Sequence, residues 1–340
     1  MNSEKEYPFD HNCVFFGGGT GQNTALRGCV ELNTPPKLTA VAATWDSGGI
    51  SGELRIKEGI LPPGDYLQCL LGLMEDKDQF EEAITLLRDR SENNPLGHQL
   101  ALRATKAHHS VELAIDGIRK LFRISGKVLP ISLDDTDLHS ESSHGIEFKH
   151  EHDLDKLADT QDFSLEDEIS RIFLVPKAIA NPKVLTAISE ADKIIFPPGS
   201  PYGSIFPHLL IKDIPESILQ AKGKLILVLN LMTTQGQDHH LNKASRWLSV
   251  FQYYLDDDEW IKQHGKSRIN YLLVNENHIN PEVLKIYENK GQKIVEVDKA
   301  ECEKIAPGIQ IIQENLVDYN RRLHLLRHDP LRLAETILSL

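Results

Sequence analysis

The stretch from Cys13 to Gly28, CVFFGGGTGQNTALRG, joins a short apolar run directly to three consecutive glycines. A backbone without Cβ atoms can bring its N–H groups close to a ligand, and a helix starting behind it adds the positive end of its dipole. The stretch therefore predicts a strand, a loop that binds an anion such as phosphate, and a helix. It lacks the Lys-Ser/Thr pair of a P-loop, and Gln22 stands where the dinucleotide fingerprint has its last glycine. A purely structural alternative is that Gly17–Gly19 only permit a tight turn.

The overall composition limits the classes of partner. The chain has 340 residues, 40% of them hydrophobic, which suits one large α/β domain or two modest ones. Its 50 acidic and 37 basic residues give a formal net charge of −13, which repels a nucleic-acid polyanion. The N-terminal MNSEKEYPFDHN has no signal-type apolar core, and no run reaches the roughly 18 apolar residues of a membrane span. Four scattered cysteines without a CxxC pair argue against a disulfide scaffold or structural zinc. We therefore expect a cytoplasmic protein that binds neither nucleic acid nor membranes.

Apolar, β-branched runs alternate with helical patterns, which is typical of a mostly parallel sheet covered by helices on both faces. The candidate strands are CVFF, LTAVAAT, RIFLV, KIIF, KLILVL, INYLLV and KIVEV. We therefore expect a Rossmann-like α/β fold, with a tail at residues 1–12 and a single domain at 13–340. Within this domain, the residues from about 76 to about 160 are expected to form an insertion with a helical layer and a polar hairpin. We interpret the histidine-rich part near residues 139–152 as solvated surface.

Helical patterns and capping signals fill the intervals between these strands. DQFEEAITLLRDR places its apolar residues on one stripe, and LGHQLALRATKAHHSVELAIDGIRKLF predicts a longer helical stretch. Three helix starts are marked by a capping side chain directly before a proline, at Asn181, Asn280 and Asp329.

The unusual polar segments share one position in this pattern, directly after a strand. GGGTGQN follows the first strand, WDSGGISGELR the second, PPGSPYGS follows KIIF, and NLMTTQGQ follows KLILVL. A fifth segment, LPPGDYLQCL at 61–70, begins a helix and is expected to join them. Because the carboxyl ends of parallel strands lie along one edge of a sheet, these loops should meet in one cleft.

The acidic and histidine groups allow more than one interpretation. Asp46 is either a turn or N-cap residue, or it contacts a ribose or holds Mg²⁺ against a diphosphate. Asp65 has the same two interpretations, with capping favoured. The acidic runs at 134–135 and 256–258 are interpreted as solvated surface, as are the histidine pairs at 108–109 and 239–240, which lack a third metal ligand.

In order, GGGTG, DSGGISGELR, LPPGDYLQCL, ANPKVLTAISEADKIIFPPGSPYGSIFPHLL, NLMTTQGQ and RHDPLRLAETI resemble the CofD-like family. The similarity runs from about Cys13 to the C-terminus. The similarity is greatest to the gluconeogenesis-factor branch of this family. Proteins of that branch bind nucleotide sugars, are linked to carbon metabolism and cell shape, and are related to 2-phospho-L-lactate transferase. The resemblance implies a Rossmann-like fold. It also leaves open a regulatory protein partner and a homodimer.

The resemblance implies ligand-binding roles for matching positions in this chain. These are the phosphate loop (Gly17, Gly18, Gly19, Thr20, Gly21), the turn after the second strand (Asp46, Gly48, Gly49, Ser51), the Pro-Gly-Asp loop (Gly64, Asp65), the Pro-Gly-Ser loop (Gly199, Ser200, Ser204), the Asn-Leu-Met-Thr turn (Asn230, Thr233), and Tyr287 and Arg327. A guanidinium such as that of Arg327 binds phosphate through two parallel hydrogen bonds. The chain departs from the family pattern at three places. Ser47 and Ile50 stand where a carboxylate and a hydroxyl are usual. The GSPYGS segment also differs from the family pattern, and His98 stands where Asn is usual.

Two functions follow from this pattern. The first is a regulatory protein that binds a nucleotide sugar such as UDP-N-acetylglucosamine without turning it over. The second is a transferase in which Asp46 holds Mg²⁺ on a nucleoside diphosphate linkage and an acceptor hydroxyl displaces the nucleotide. We favour the first, because Ser47 removes one carboxylate. An NAD(P) oxidoreductase is disfavoured by the incomplete glycine fingerprint.

Overall fold

The computed structural model describes residues 11–89, 95–155, 168–234, 238–276, 279–320 and 325–340. Its strands are Asn12–Gly17 (β1), Lys37–Ala42 (β2), Lys127–Pro130 (β3), Asp137–Ser142 (β4), Glu147–Phe148 (β5), Ile169–Val175 (β6), Lys193–Phe196 (β7), Lys224–Val228 (β8), Ile269–Asn275 (β9), Gln310–Glu314 (β10), Val317–Asn320 (β11) and Leu325–His328 (β12).

The α-helices are Gly19–Val30 (α1), Gly49–Glu58 (α2), Gly64–Gly72 (α3), Lys77–Leu87 (α4), Leu96–His108 (α5), Val111–Leu121 (α6), Glu151–Asp155 (α7), Pro182–Glu190 (α8), Ile214–Gln220 (α9), Ala244–Leu255 (α10), Asp257–His264 (α11), Pro281–Glu288 (α12), Lys299–Ile305 (α13) and Pro330–Ser339 (α14). Among the helices of the described residues, none is both long and apolar enough to cross a bilayer.

A seven-stranded sheet in the order β10-β9-β8-β7-β1-β2-β3 forms the centre of the fold. Every neighbouring pair in it is parallel. The chain builds outward from β1 through β2 to β3 and later resumes on the other side of β1 with β7. The predicted parallel α/β fold is therefore confirmed. The order reverses between β1 and β7, which is where open parallel sheets bind ligands.

Alternate side chains of β1 enter two different hydrophobic cores, as expected for a strand covered on both faces. Val14 and Phe16 belong to the core shared with α8 and α10. Cys13 and Phe15 belong to the core shared with α1, α3 and α14. The site-forming loops therefore project from a sheet that is held on both faces.

The strand predictions at 171–175 and 293–297 were wrong for the central sheet. RIFLV lies in β6, which pairs antiparallel with β4 in a separate three-stranded sheet, β5-β4-β6. KIVEV forms only isolated bridges, Ile294 with Met232 and Glu296 with Lys243. Conversely, Lys127–Pro130 lies in the central sheet and not in the predicted hairpin. Runs this short do not reveal whether they are buried on one face or on two.

The capping predictions are confirmed. The side chains of Asn181, Asn280 and Asp329 accept hydrogen bonds from the backbone N–H groups of the first turns of α8, α12 and α14. The long helical stretch is instead two helices, α5 and α6. His109 ends the first helix in the left-handed conformation, and the Ser110 side chain caps the second.

Candidate functional site

The loop after β1 lies directly against the loop after β7. A Cβ atom on Gly21 would lie 1.9 Å from the main-chain oxygen of Pro198, so only glycine allows this approach. Gly19 has φ +59°, in the left-handed region, and faces open space. The two glycines therefore shape the start of α1 at the point where the strand order reverses.

Two carboxylates border this loop. The N–H of Gly19 donates to Asp65 Oδ1 at 2.7 Å. Asp46 Oδ1 accepts from the N–H of Gly48 at 2.9 Å, and a Cβ on Gly64 would lie 2.8 Å from Asp46 Oδ2. Burial and the neighbouring Asp46 carboxylate raise the pKa of Asp65 to about 7, although the bond from Gly19 opposes this shift. Asp65 thus occupies a backbone donor that a bound phosphate would need.

This pair of carboxylates fits a magnesium ion only together with a ligand. Among the described residues, no group of three or more His, Cys, Asp or Glu side chains is arranged to hold a metal. Mg²⁺ is commonly held by one or two carboxylates plus substrate phosphates. Asp46 and Asp65 are the carboxylates that would hold magnesium here if a ligand supplied the phosphates.

The loops after β7 and β8 are joined through Asn230. Its Oδ1 accepts from the N–H of Gly199 at 2.9 Å, and its Nδ2 donates to the Gly199 carbonyl at 2.8 Å. The N–H of Gly203 donates to Ser200 Oγ at 3.2 Å, and Trp45 Nε1 donates to the Gly203 carbonyl at 2.8 Å. Asn230 therefore acts as a positioning residue for the Pro-Gly-Ser loop.

A cavity of about 290 Å³, the switch-point cavity, opens beside these loops. Its lining includes Thr20, Gly21, Thr24, Pro198, Gly199, Ser200, Asn230, Met232, Thr233, Tyr287, Gln292, Leu326 and Arg327. The Tyr287 hydroxyl accepts from the N–H of Leu326 at 2.6 Å, which fixes the ring, whereas the neighbouring Arg327 is exposed. Thr233 is buried and its Oγ1 accepts from the Lys293 N–H, so its hydroxyl already has a partner.

A second cavity of about 340 Å³, the α3 cavity, lies on the other side of the phosphate loop. Its lining consists of Thr20, Gly64, Leu67, Gln68, Leu71, Leu87, Arg88, Pro95, Gly97 and His98. Thr20 borders both cavities. A larger cavity of about 730 Å³ opens near Asn12, Lys37 and Lys127, at the amino ends of the strands, on the opposite edge from the glycine loops.

The structure brings most of the sequence-predicted residues to this edge of the sheet. Those that line a cavity are Thr20, Gly21, Gly64, Gly199, Ser200, Asn230, Thr233, Tyr287 and Arg327. The remaining loop residues, Gly17, Gly18, Gly19, Asp46, Gly48, Gly49, Ser51 and Asp65, lie in the segments next to them. Ser204 lines neither cavity; its N–H donates to the Ser200 carbonyl at 2.8 Å within the Pro201–Ile205 turn.

His144 and His150 are exposed, as predicted for the histidine-rich segment, but His152 at its end lies in α7 and contacts the turn that carries Asp46, which corrects the interpretation for that residue. His152 Nδ1 lies 3.0 Å from Ser47 Oγ, and the backbone N–H of His152 donates to the same oxygen at 3.1 Å. This contact holds α7 against the turn that carries Asp46. The contact spans 105 residues, and no local sequence pattern reveals it.

Gln22 is a second residue whose role the sequence left open. It is fully buried, and its Nε2 donates to the carbonyls of Phe15 and Val41 at 3.0 and 3.1 Å. One side chain thus joins β1 and β2 directly below the phosphate loop. Its position at the last glycine of the dinucleotide fingerprint was the available signal.

Gly21→Ala is expected to destabilise the fold by roughly 1–3 kcal/mol, because its Cβ must displace the Pro198 main chain. Gly19→Asn is the matched control, since its side chain enters open space and Asn tolerates the left-handed conformation. Urea unfolding of both variants measures the difference. Equal stability of the two variants would contradict the close approach.

Asp65→Asn is expected to change how stability depends on pH. The folded pKa of about 7 exceeds the unfolded value of roughly 3.9, so the folded state retains a proton that the unfolded state loses. Stability therefore falls as pH rises from about 4 to 7. The variant lacks this cost. Its free energy of unfolding, relative to that of wild type, should therefore rise by about 1–3 kcal/mol as the pH increases from 5 to 8.

Urea unfolding at both pH values, with chelator present, tests this. Asp238, whose pKa burial also raises to about 7, is unchanged in both proteins and cancels in the comparison. Parallel pH profiles of variant and wild type would show that Asp65 is ionised throughout.

Comparisons with known proteins agree with this architecture. The family model for 2-phospho-L-lactate transferase CofD matches residues 13–317. The gluconeogenesis factor of Bacillus subtilis is 31% identical over 333 residues, covering 96% of this chain and 97% of that protein. The gluconeogenesis factor of Halalkalibacterium halodurans is 29% identical and covers 96% of each chain.

A crystal structure of a Bacillus halodurans protein superposes with a TM-score of 0.84 at 30% identity, covering 97% of this chain and 99% of that one. A second structure from the same organism, described as a member of the UPF0052 family, gives the same TM-score. The match to the family model covers most of the chain, from β1 to the start of β11. The chain therefore belongs to the CofD family.

Proposed function

We propose that this protein binds a UDP-sugar in the cytoplasm and acts as a regulatory protein of the gluconeogenesis-factor type. The observation that carries the proposal is the switch-point cavity, which combines the phosphate loop, the Pro-Gly-Ser loop, an aromatic ring and an arginine. These are the groups needed for a diphosphate and for a flat base. The chain's relatives that are named gluconeogenesis factors support a role in carbon metabolism.

The loop geometry supports the proposed contacts with the diphosphate. The N-terminus of α1, a 12-residue helix, offers backbone N–H groups and the positive end of its dipole. Ser200 and the exposed Arg327 guanidinium border the same cavity. Because Asp65 holds the N–H of Gly19, an incoming phosphate must compete with that carboxylate, or its charge must be neutralised.

The base belongs beside Tyr287. Its ring lines the cavity and is fixed by the hydrogen bond from Leu326, so a stacked base meets a surface that is already ordered. Met232 and Leu326 add apolar area next to it. The resemblance to the family further implies control of cell shape through a protein partner, which we include in the proposal.

A second candidate function is a transferase, favoured by the Asp46–Asp65 pair and by the description of the family. Magnesium held by this pair and the phosphates would neutralise charge on the diphosphate. An acceptor hydroxyl would then form a new P–O bond while the bond to the nucleoside monophosphate breaks. The hydroxyl proton would pass to solvent, because a carboxylate that holds magnesium is not available as a base. Ser47, in place of a carboxylate, leads us to favour binding without turnover.

Calorimetric titration with UDP-N-acetylglucosamine, UDP-glucose and GDP, each with and without Mg²⁺, separates the two functions. We expect binding of a UDP-sugar that is recovered intact, as measured by chromatography of the ligand afterwards. Preference for GDP with a strict Mg²⁺ requirement, or release of UMP in the presence of an acceptor, would favour the transferase.

Arg327→Ala is expected to weaken UDP-sugar binding by roughly 1.5–3 kcal/mol, the loss of a charge-assisted phosphate contact. Arg171→Ala is the control, because Arg171 is also exposed but pairs with Glu141 in the separate three-stranded sheet. Both affinities are measured by calorimetry at one salt concentration. An unchanged affinity of the first variant would remove Arg327 from the site.

A further inference from the structure

Helix α2 follows directly on the turn with Asp46 but takes no part in the two large hydrophobic cores. In Gly49–Glu58, all of which the structure describes, Leu54 is the one large apolar side chain that is buried, and it belongs to neither core. Ile56 on the same helix is 87% exposed. Because the packing of an apolar face normally supplies most of the stability of a helix in a protein, contacts of another kind must hold α2 in place.

Polar contacts join α2 to its neighbours. Arg55 Nε lies 2.5 Å from Asp135 Oδ1, and Arg55 Nη1 lies 2.8 Å from Asp137 Oδ1 at the start of β4. On the opposite side of the helix, Glu58 pairs with Lys106 of α5. The Arg55 side chain is 9% exposed, so loss of its carboxylate partners would leave a nearly buried charge unpaired, which is costly.

The turn before α2 is held by α7. Ser47 Oγ accepts from the backbone N–H of His152 and lies 3.0 Å from the Nδ1 of the same residue. His152 Nε2 lies 3.4 Å from Asp153 Oδ1, which favours a hydrogen on Nε2 and leaves Nδ1 to accept from the Ser47 hydroxyl. We call the contacts of Arg55 with Asp135 and Asp137, together with the contact of Ser47 with His152, the α2 clamp.

The turn and the first part of α2 form one unit. A Cβ atom on Gly52 would lie 2.1 Å from the main-chain oxygen of Ser47, so the helix lies directly against the turn. The N–H of Gly52 donates to the Gly48 carbonyl at 3.1 Å, and the N–H of Gly48 donates to Asp46 Oδ1 at 2.9 Å. A shift of α2 would therefore carry the Asp46 carboxylate with it.

We propose that Arg55 and His152 are positioning residues, and that the α2 clamp fixes the Asp46 carboxylate beside the phosphate loop and so sets the affinity of the site for a diphosphate that carries magnesium. β4 and α7, which supply the clamp, lie outside the central sheet. The inference rests on the proposed UDP-sugar function. It adds that the magnesium-dependent part of the affinity depends on the clamp, whereas the contacts of Ser200 and Arg327 do not.

Asp137→Ala tests the clamp, and Glu141→Ala is the matched control. Both carboxylates lie on one face of β4 and are 31% and 32% exposed, but Glu141 pairs with Arg171 on β6. UDP-N-acetylglucosamine is titrated into the full chain by calorimetry, once with magnesium and once with chelator. Asp137→Ala should lose about three- to tenfold in affinity with magnesium and less than about twofold with chelator. Glu141→Ala should match wild type in both.

The contact through Ser47 is tested by two substitutions of His152. His152→Ala removes the acceptor, whereas His152→Asn keeps an acceptor on Cγ, where Nδ1 is attached. The first should lower the affinity with magnesium about three- to tenfold, and the second should restore most of that loss. Amide hydrogen exchange of residues 46–58, measured without ligand, should be faster in His152→Ala and Asp137→Ala and close to wild type in His152→Asn and Glu141→Ala.

Two results would overturn the inference while leaving the proposed function in place. One is binding of UDP-N-acetylglucosamine by wild type with the same affinity in magnesium and in chelator. The other is an affinity with magnesium that Asp137→Ala and Glu141→Ala change equally, or that neither changes. If wild type binds no UDP-sugar under either condition, the proposed function itself fails, and this inference fails with it.

Discussion

The approach of the main chain at Gly21 to the main chain at Pro198 is the constraint on which the candidate site depends. It brings the loops after β1 and β7 together where the strand order of the central sheet reverses. Any side chain at position 21 would separate them. Because Asn230 holds Gly199 through both of its backbone polar groups, the loop after β8 is fixed to the same point. The loops after β1, β7 and β8 are thus held in one arrangement by the absence of a Cβ at Gly21 and by the side-chain amide of Asn230.

Behind these loops, buried polar contacts connect layers that are far apart in the sequence. Gln22 joins β1 to β2, and Trp45, next to Asp46, donates to the turn after β7. His208 packs edge-on against Phe16 and Trp45 in the same region, and burial lowers its pKa to about 3, so the ring is neutral. Lys193 on β7 donates to the carbonyls of Ile337 and Leu338 at the end of α14. These contacts join the strands beneath the site to turns and helices from distant parts of the sequence.

The sequence was informative where local chemistry decides the structure. The glycines after β1, the caps at Asn181, Asn280 and Asp329, and the position of polar loops after strands all follow from short-range rules, and the fold agrees with them. The sequence was less informative where the pairing of distant strands decides the structure. Ile169–Val175 has the composition of a central strand but pairs in a small antiparallel sheet, and Gln310–Glu314 is polar enough to be missed although it forms the edge of the central sheet. His152 and the α3 cavity depend on contacts between distant segments, which periodicity does not encode.

The hydrogen bond from Gly19 to Asp65 would make phosphate binding at this loop depend on a compensating charge. The Asp65 side chain occupies the N–H of Gly19, the backbone donor that a phosphate at the start of α1 would use. An anionic ligand at this loop would meet the Asp46 and Asp65 carboxyl groups, so its binding would be favoured by uptake of a proton or of a cation. If the proposed nucleotide sugar binds here, its occupancy at constant ligand concentration would depend on pH and on free magnesium.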